Sequence, residues 1–263
     1  HELHSTDEAV KLLQEYTCQT VVNNSASAIV QLNLYNNLAE RDHVIIDGGF
    51  GEIWRRDFFN RLYYRGRRDL IEKNLQRIFK DISIYRADIF NEKINMEMYD
   101  GALNQISNLF EYYPPIEEIG VENWLDMIGL KTRLVNYYGP EQTRLDLNLK
   151  SYMPFAQKSL LSLLFSMPLS ERRNGTMFRK TIKQNFAGLG SFPLAKDSFS
   201  YPYGLGTVKS RVYSAVRSKL KWRLYKDKVR TNFLHNYSEY IRDTLYSRDV
   251  RECELYNYGK VKN

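Results

Sequence analysis

The chain of 263 residues is poor in the residues that build covalent or metal frameworks, with two cysteines and four histidines. Cys18 and Cys253 lie far apart and form no metal-ligand spacing. A disulfide-stapled scaffold and a thiolate zinc site are therefore not expected, and a reducing, cytoplasmic setting is the default expectation. His43 has no cysteine or acid at ligand spacing and reads as structural, while His1 and His4 belong to a chain end. No apolar run approaches the ~20 residues that span a bilayer, so no membrane span is expected. A charged-then-apolar leader is also missing, so no signal peptide is expected. The first residue is His1 rather than methionine, which suggests a chain that begins partway through a longer protein. No internal repeat and no low-complexity tract is visible, which argues against solenoid and fibrous architectures.

What the chain does contain is ordinary for a globular protein: 43% apolar and 26% charged residues, enough for a full hydrophobic core. The net charge of +7 is unevenly spread. Residues 205–230 hold nine lysines and arginines against the single acid Asp227, so the remainder is close to neutral. Within this segment Val208, Val212, Val216, Leu220 and Leu224 form one apolar stripe, the pattern of an amphipathic helix. Its cations can face solvent or an acidic partner. They can also neutralise nucleic-acid phosphates, with Trp222 and Tyr225 as stacking groups, or meet an anionic membrane surface. A basic patch alone is an unspecific footprint, so a nucleic-acid-binding module through 205–230 is an alternative rather than the leading reading.

Most of the chain has helical periodicity. Ser5-Thr6-Asp7-Glu8 carries the capping-box order, predicting a helix to about Tyr16, and a second is predicted from near Ser25. Helical stretches follow from Ile53, from Leu70 to Lys80, and from Ile94 to Tyr112, the last ended by Pro114-Pro115. Another is predicted over Glu117–Tyr138, closed by Gly139-Pro140, with 141–153 irregular. Phe155–Met167, Thr176–Phe186, the basic segment and Thr231–Tyr246 complete the helices, and Gly188–Gly206 reads as a loop. Strands are expected only within the first fifty residues.

The stretch with most chemical content is Val44-Ile45-Ile46-Asp47-Gly48-Gly49-Phe50-Gly51-Glu52. Val44 to Ile46 reads as a buried strand of an open α/β sheet, and ligands gather at the carboxyl ends of such strands. Glycines there let backbone amides approach a phosphate, and Asp47 and Glu52 are oxygen donors of the kind Mg²⁺ takes. The plainer interpretation is a strand-to-helix turn whose glycines supply positive φ, with Glu52 favouring a helix N-terminus.

Three stretches together resemble one family. Ile46-Asp47-Gly48-Gly49-Phe50-Gly51-Glu52 is similar to the S-G-x-G-x-D-E turn of the asparagine synthase family's ATP-binding domain. Tyr152-Met153-Pro154-Phe155-Ala156-Gln157, with Leu160-Leu161 and Ser166-Met167-Pro168, resembles its R-x-P-F-L-D … L … L-P stretch. Phe178-Arg179-Lys180 and Phe192 to Phe199 resemble its K-x-x-x-R … P … R-x-K-x-x-F end. Order and spacing agree over roughly residues 20–206.

The resemblance implies a mostly α-helical protein containing a partial α/β, ATP-pyrophosphatase-like nucleotide domain with a helical C-terminal half. It implies a synthetase domain over 1–206, N-terminally incomplete, with 207–263 as a basic helical extension. The implied activity is an ATP-dependent amide-forming ligase: ATP with Mg²⁺ adenylates a small carboxylate, aspartate or an analogue, pyrophosphate leaves, and ammonia attacks. Ammonia would come from a glutaminase domain or subunit, and a homodimer is compatible with the family. By position, Asp47, Gly48, Gly49 and Gly51 border the nucleotide, Asp47 and Glu52 bind metal, and Lys196 matches the lysine that stabilises the charged transition state. This chain also departs from the family. Its S-G-G-x-D-S phosphate loop is absent from the sequence, one acid of the Asp-Glu pair is replaced, and Lys150 and Tyr152 stand where the family has an acid and an arginine. A catalytically degenerate binding domain is therefore the second alternative.

Overall fold

The computed structural model describes residues 6–17, 25–55, 58–83, 88–192, 194–196, 199–201, 212, 215–216, 219–220 and 235–261. The protein is mostly helical, as its periodicity predicts. Of the nine cations in 205–230 only Lys219 lies within the described residues; Val212, Val216 and Leu220 do too, and are exposed. The basic-helix reading therefore falls largely outside them.

Two compact units make up the chain: residues 1–45, 58–152 and 232–263 form the first, and 46–57 with 153–231 form the second. In the first unit, α1 (Thr6–Thr17) and α2 (Ser25–Ala39) begin where the capping box and Ser25 predict. Next come α3 (Asn60–Arg65), α4 (Arg67–Ile71) and α5 (Leu75–Ile82). The single helix expected over Leu70–Lys80 is thus two, separated by Lys73 at φ 52° and restarted by Asn74, whose side chain accepts the Arg77 amide at 3.2 Å. A left-handed residue cannot continue a right-handed helix, and an Asn N-cap satisfies an amide that the new helix leaves without a partner.

The longest helix, α6 (Glu92–Tyr112), is capped by Asn91, which accepts the Ile94 amide at 2.8 Å, and stops at the proline pair. Beyond the prolines α7 (Ile116–Ile128) bends at Gly120, which has φ 79°. Its inward face supplies Val121, Trp124, Leu125 and Ile128 to a core that also contains Leu62, Leu70, Ile78 and Ile106. Trp124 stacks on Phe110 with ring centroids 4.6 Å apart. The acids Glu122 and Asp126, one helical turn apart, are buried on the same helix, and the Tyr63 hydroxyl donates to Glu122 Oε1 at 2.9 Å.

Gly139-Pro140 does not end the helical path. The chain passes from α7 through widened π-helical turns (Gly129–Tyr138) into α8 (Gly139–Asn148), where an irregular stretch is expected from sequence. Pro140 falls in the first turn of α8, the one part of a helix where its missing N–H is harmless. A C-terminal segment completes this unit: Phe90 and Tyr256 bridge antiparallel with stacked rings, and Asn257 N–H donates to Ile89 at 2.8 Å.

Strand content also differs from expectation. The described strands are Ile45–Ile46, Ser151–Tyr152, Leu194–Lys196 and Phe199–Tyr201, so they are not confined to the first fifty residues. Each sheet of the described residues has two strands. Val44 and Ile46 are 60% and 76% exposed, which corrects their reading as a buried sheet strand. A two-residue strand with a single neighbour has no sheet face to cover it. The second unit contributes α9 (Lys158–Ser166), α10 (Leu169–Arg172) and α11 (Thr176–Asn185). The hairpin pairs Leu194 with Tyr201 and Lys196 with Phe199 inside the stretch expected to be loop. No helix among the described residues is long and apolar enough to cross a membrane.

Candidate functional site

The Asp47–Glu52 turn is built by its first acid. Asp47 Oδ1 accepts the Gly49 amide at 2.9 Å, the local bond by which Asp side chains stabilise turns. Gly51 N–H then donates to the Gly48 carbonyl and Ile53 N–H to that of Phe50, starting a 3-10 turn over Gly51–Arg55 with Glu52 in its first turn. Among the residues of this turn it is not a glycine that takes positive φ, but Phe50, at φ 63° and fully buried. The expectation that Gly48, Gly49 and Gly51 supply positive φ is corrected accordingly. A non-glycine residue in that region costs roughly 1–2 kcal/mol, and burying the Phe50 ring offsets it.

Gly51 is constrained by proximity instead. A Cβ there would stand 3.2 and 3.3 Å from two ring carbons of Phe155. Phe155 belongs to a 3-10 turn, Pro154–Ala156, and sits beside Trp54, whose centroid is 6.1 Å away. Phe178 of α11 completes a trio, edge-on to Phe155 at 5.7 Å and 6.4 Å from Trp54. Segments far apart in sequence, around positions 50, 155 and 178, thus converge on one aromatic cluster within the second unit.

Cations border this cluster. Gly175, at φ 65°, precedes α11, and the place its Cβ would occupy is 3.5 Å from Arg55 Cγ, 3.6 Å from Arg55 Cδ and 4.0 Å from Arg179 Nη1. Arg172 is 2% exposed, with its guanidinium 5.6 Å from the centre of the Phe165 ring. Glu171 is committed to Lys180 through both carboxylate oxygens at 2.7 and 2.8 Å. The indole N–H of Trp54 is buried and has no hydrogen-bond partner among the described residues.

Of the residues singled out from sequence, Asp47, Gly48, Gly49, Gly51 and Glu52 lie on the one turn, and Lys196 ends the first strand of the hairpin in the same unit. The Lys196 side chain lies outside the described residues. As donors, Asp47 and Glu52 suit Mg²⁺, which takes one or two carboxylates and completes its shell with water and phosphate oxygens. Among the described residues no three histidines, cysteines or acids gather as an all-protein metal cage. Sequence reasoning missed Trp54, Arg55 and Gly175. Trp54 and Arg55 directly follow the glycine turn, and that adjacency was the available signal. No family model, no curated protein and no solved structure matches this chain.

Proposed function

We propose that the second unit is part of an ATP-dependent, amide-forming ligase of the asparagine synthase kind, with an ATP-pyrophosphatase-like nucleotide site. One observation carries this reading. The three stretches that resemble the family, 46–52, 152–168 and 178–199, fall into one compact unit except for Tyr152, and Phe155 and Phe178 pack there with Trp54, which lies two residues beyond the first stretch. Chance similarity of short motifs gives no reason for separated segments to share one cluster.

On this reading a carboxylate oxygen of the substrate attacks the α-phosphorus of ATP, pyrophosphate leaves, and ammonia then displaces AMP from the acyl-adenylate. A carboxylate is a poor electrophile until AMP becomes its leaving group. Asp47 and Glu52 would hold Mg²⁺, which when bound offsets charge on the phosphates. The backbone of Gly48, Gly49 and Gly51 would border the nucleotide, and Lys196 would stabilise charge as it builds in the transition state. The acceptor is a small carboxylate such as aspartate or an analogue, and ammonia is supplied by a glutaminase domain or subunit.

A specific observation favours a second reading, a degenerate nucleotide-binding domain. Asp47 Oδ1 already serves the turn, and the acid that follows in the family is absent here. Carboxylate-dependent exchange of labelled pyrophosphate into ATP separates the two: exchange supports the ligase, and saturable ATP binding without exchange supports the degenerate domain.

A further inference from the structure

We propose that the second unit docks on an anionic lipid surface through two exposed apolar faces set in the most basic stretch of the chain. The inference goes beyond the proposed function and does not depend on it. Two observations carry it, one of shape and one of charge. The described residues of the basic segment are Val212, Ala215, Val216, Lys219 and Leu220, and every one of them is exposed. The first four are helical, and the Leu220 amide donates to the Val216 carbonyl at 3.0 Å. They stand three, four, seven and eight residues beyond Val212, the spacing of a single helix face. A helix of a globular protein turns such a stripe to the core, yet Val212, Val216 and Leu220 are each at least half exposed. The 3-10 turn Ala187–Ser191 builds a second face. Leu189 N–H donates to the Phe186 carbonyl at 2.9 Å, and Phe192 N–H to that of Leu189 at 3.1 Å. Three residues complete a turn of such a helix, so Phe186, Leu189 and Phe192 fall on one side of it. They are 57%, 50% and 64% exposed. Single surface hydrophobics are ordinary, whereas large apolar side chains lined up on one face mark a contact surface.

Charge decides what these faces meet. Residues 172–230 hold fifteen lysines and arginines against the two acids Asp197 and Asp227, a net charge of +13, so the remaining residues carry −6 between them. Both apolar faces lie inside this stretch and inside the second unit. A second copy of the chain would bring the same positive stretch against itself. A nucleic acid would be met through the cations and would leave the valine and leucine stripe in water. An anionic bilayer suits both features at once, because apolar side chains enter the boundary of the acyl chains while cations lie among the charged headgroups. Lys219 fits the same arrangement. It shares the face of Val212 and Val216, and the long stem of a lysine lets its ammonium reach the headgroups beside inserted apolar neighbours.

The test is flotation of the full chain with vesicles of phosphatidylcholine alone and of equal parts phosphatidylcholine and phosphatidylserine. Binding to the anionic vesicles is expected, at least tenfold tighter than to the neutral ones. Val216→Ser/Leu220→Ser and Leu189→Ser/Phe192→Ser, which change no charge, should each weaken it several-fold. Met96→Ser, at an exposed apolar residue of α6 in the first unit, should change it less than twofold. No binding to anionic vesicles overturns the proposal, as does binding that either double variant leaves unchanged or that Met96→Ser weakens equally. Circular dichroism checks folding, and a salt series on the unaltered chain serves where a variant unfolds. Salt should weaken vesicle binding without abolishing it, because the apolar contacts are not screened; complete loss overturns the proposal. Duplex DNA is titrated in parallel. Binding of DNA with a steep salt dependence, and none of vesicles, assigns the stretch to nucleic acid instead. Sedimentation without lipid covers the remaining occupant: self-association that the two double variants abolish assigns the faces to a second copy and likewise overturns the proposal.

Discussion

Replacing Gly51 with alanine tests whether the turn is held by close packing rather than by backbone conformation. The new Cβ would sit 3.2 and 3.3 Å from the Phe155 ring, a few tenths of an ångström inside the ~3.5–4.0 Å of an ordinary carbon contact. Phe155 has little freedom to retreat, with Trp54 on one side and the edge-on ring of Phe178 on another. Overpacking of this kind costs about 1–3 kcal/mol. Gly51 does not have positive φ, so alanine also regains about 0.4–1 kcal/mol by restricting the unfolded chain. The net expectation is destabilisation of about 0.5–2 kcal/mol, a fall in Tm of a few degrees for a chain of this size. Gly48→Ala is the matched control. No atom of the described residues lies within 4 Å of its Cβ position, so it should be neutral or mildly stabilising. Thermal melting followed by circular dichroism reads both. Equal destabilisation by the two changes, or a stabilised Gly51→Ala, would refute the packing argument.

Three other perturbations probe the first unit. Trp124→Ala, which empties the centre of the core beside Phe110, should cost about 3–5 kcal/mol in urea unfolding. Asn74→Ala removes the cap that restarts α5 and should cost about 0.5–2 kcal/mol by the same assay. Burial, reinforced by neighbouring Tyr240, pushes the Tyr237 hydroxyl up to about 12 from an ordinary value near 10. The folded state therefore holds this proton more tightly. Its contribution to stability is complete below pH ~10 and is lost as the pH rises through 10 toward 12, so Tyr237→Phe should flatten stability against pH in that window.

Local signals were legible where a residue type has one dominant use. Helix α1 starts at Thr6, where the Ser-Thr-Asp-Glu order predicts a start, Pro114-Pro115 stops α6, and the helix expected over Phe155–Met167 is α9, which begins only at Lys158 because Pro154–Ala156 forms a separate 3-10 turn. Signals with two uses mislead. Gly139-Pro140 suggests a terminator, but proline is equally at home in the first turn of a helix, and α8 starts there. Val44 to Ile46 has the composition of a buried strand, yet burial depends on neighbours that local sequence does not reveal. At the candidate site, Asp47 and the glycines stand out as a turn. The positive φ of Phe50 does not, because packing of its ring imposes a conformation that the residue disfavours. Convergence of Trp54, Phe155 and Phe178 is a tertiary fact, written in no single window of the chain.

Carboxylate-dependent ATP–pyrophosphate exchange, compared between the unaltered chain and Lys196→Ala, tests whether this protein adenylates a carboxylate with the help of Lys196. Mg²⁺-dependent exchange should fall by roughly 10²–10³ in the variant, the range expected when a group that stabilises transition-state charge is removed. ATP binding should stay within a few-fold. Equal exchange by both proteins would contradict the role of Lys196, and no exchange with any carboxylate would contradict the ligase itself.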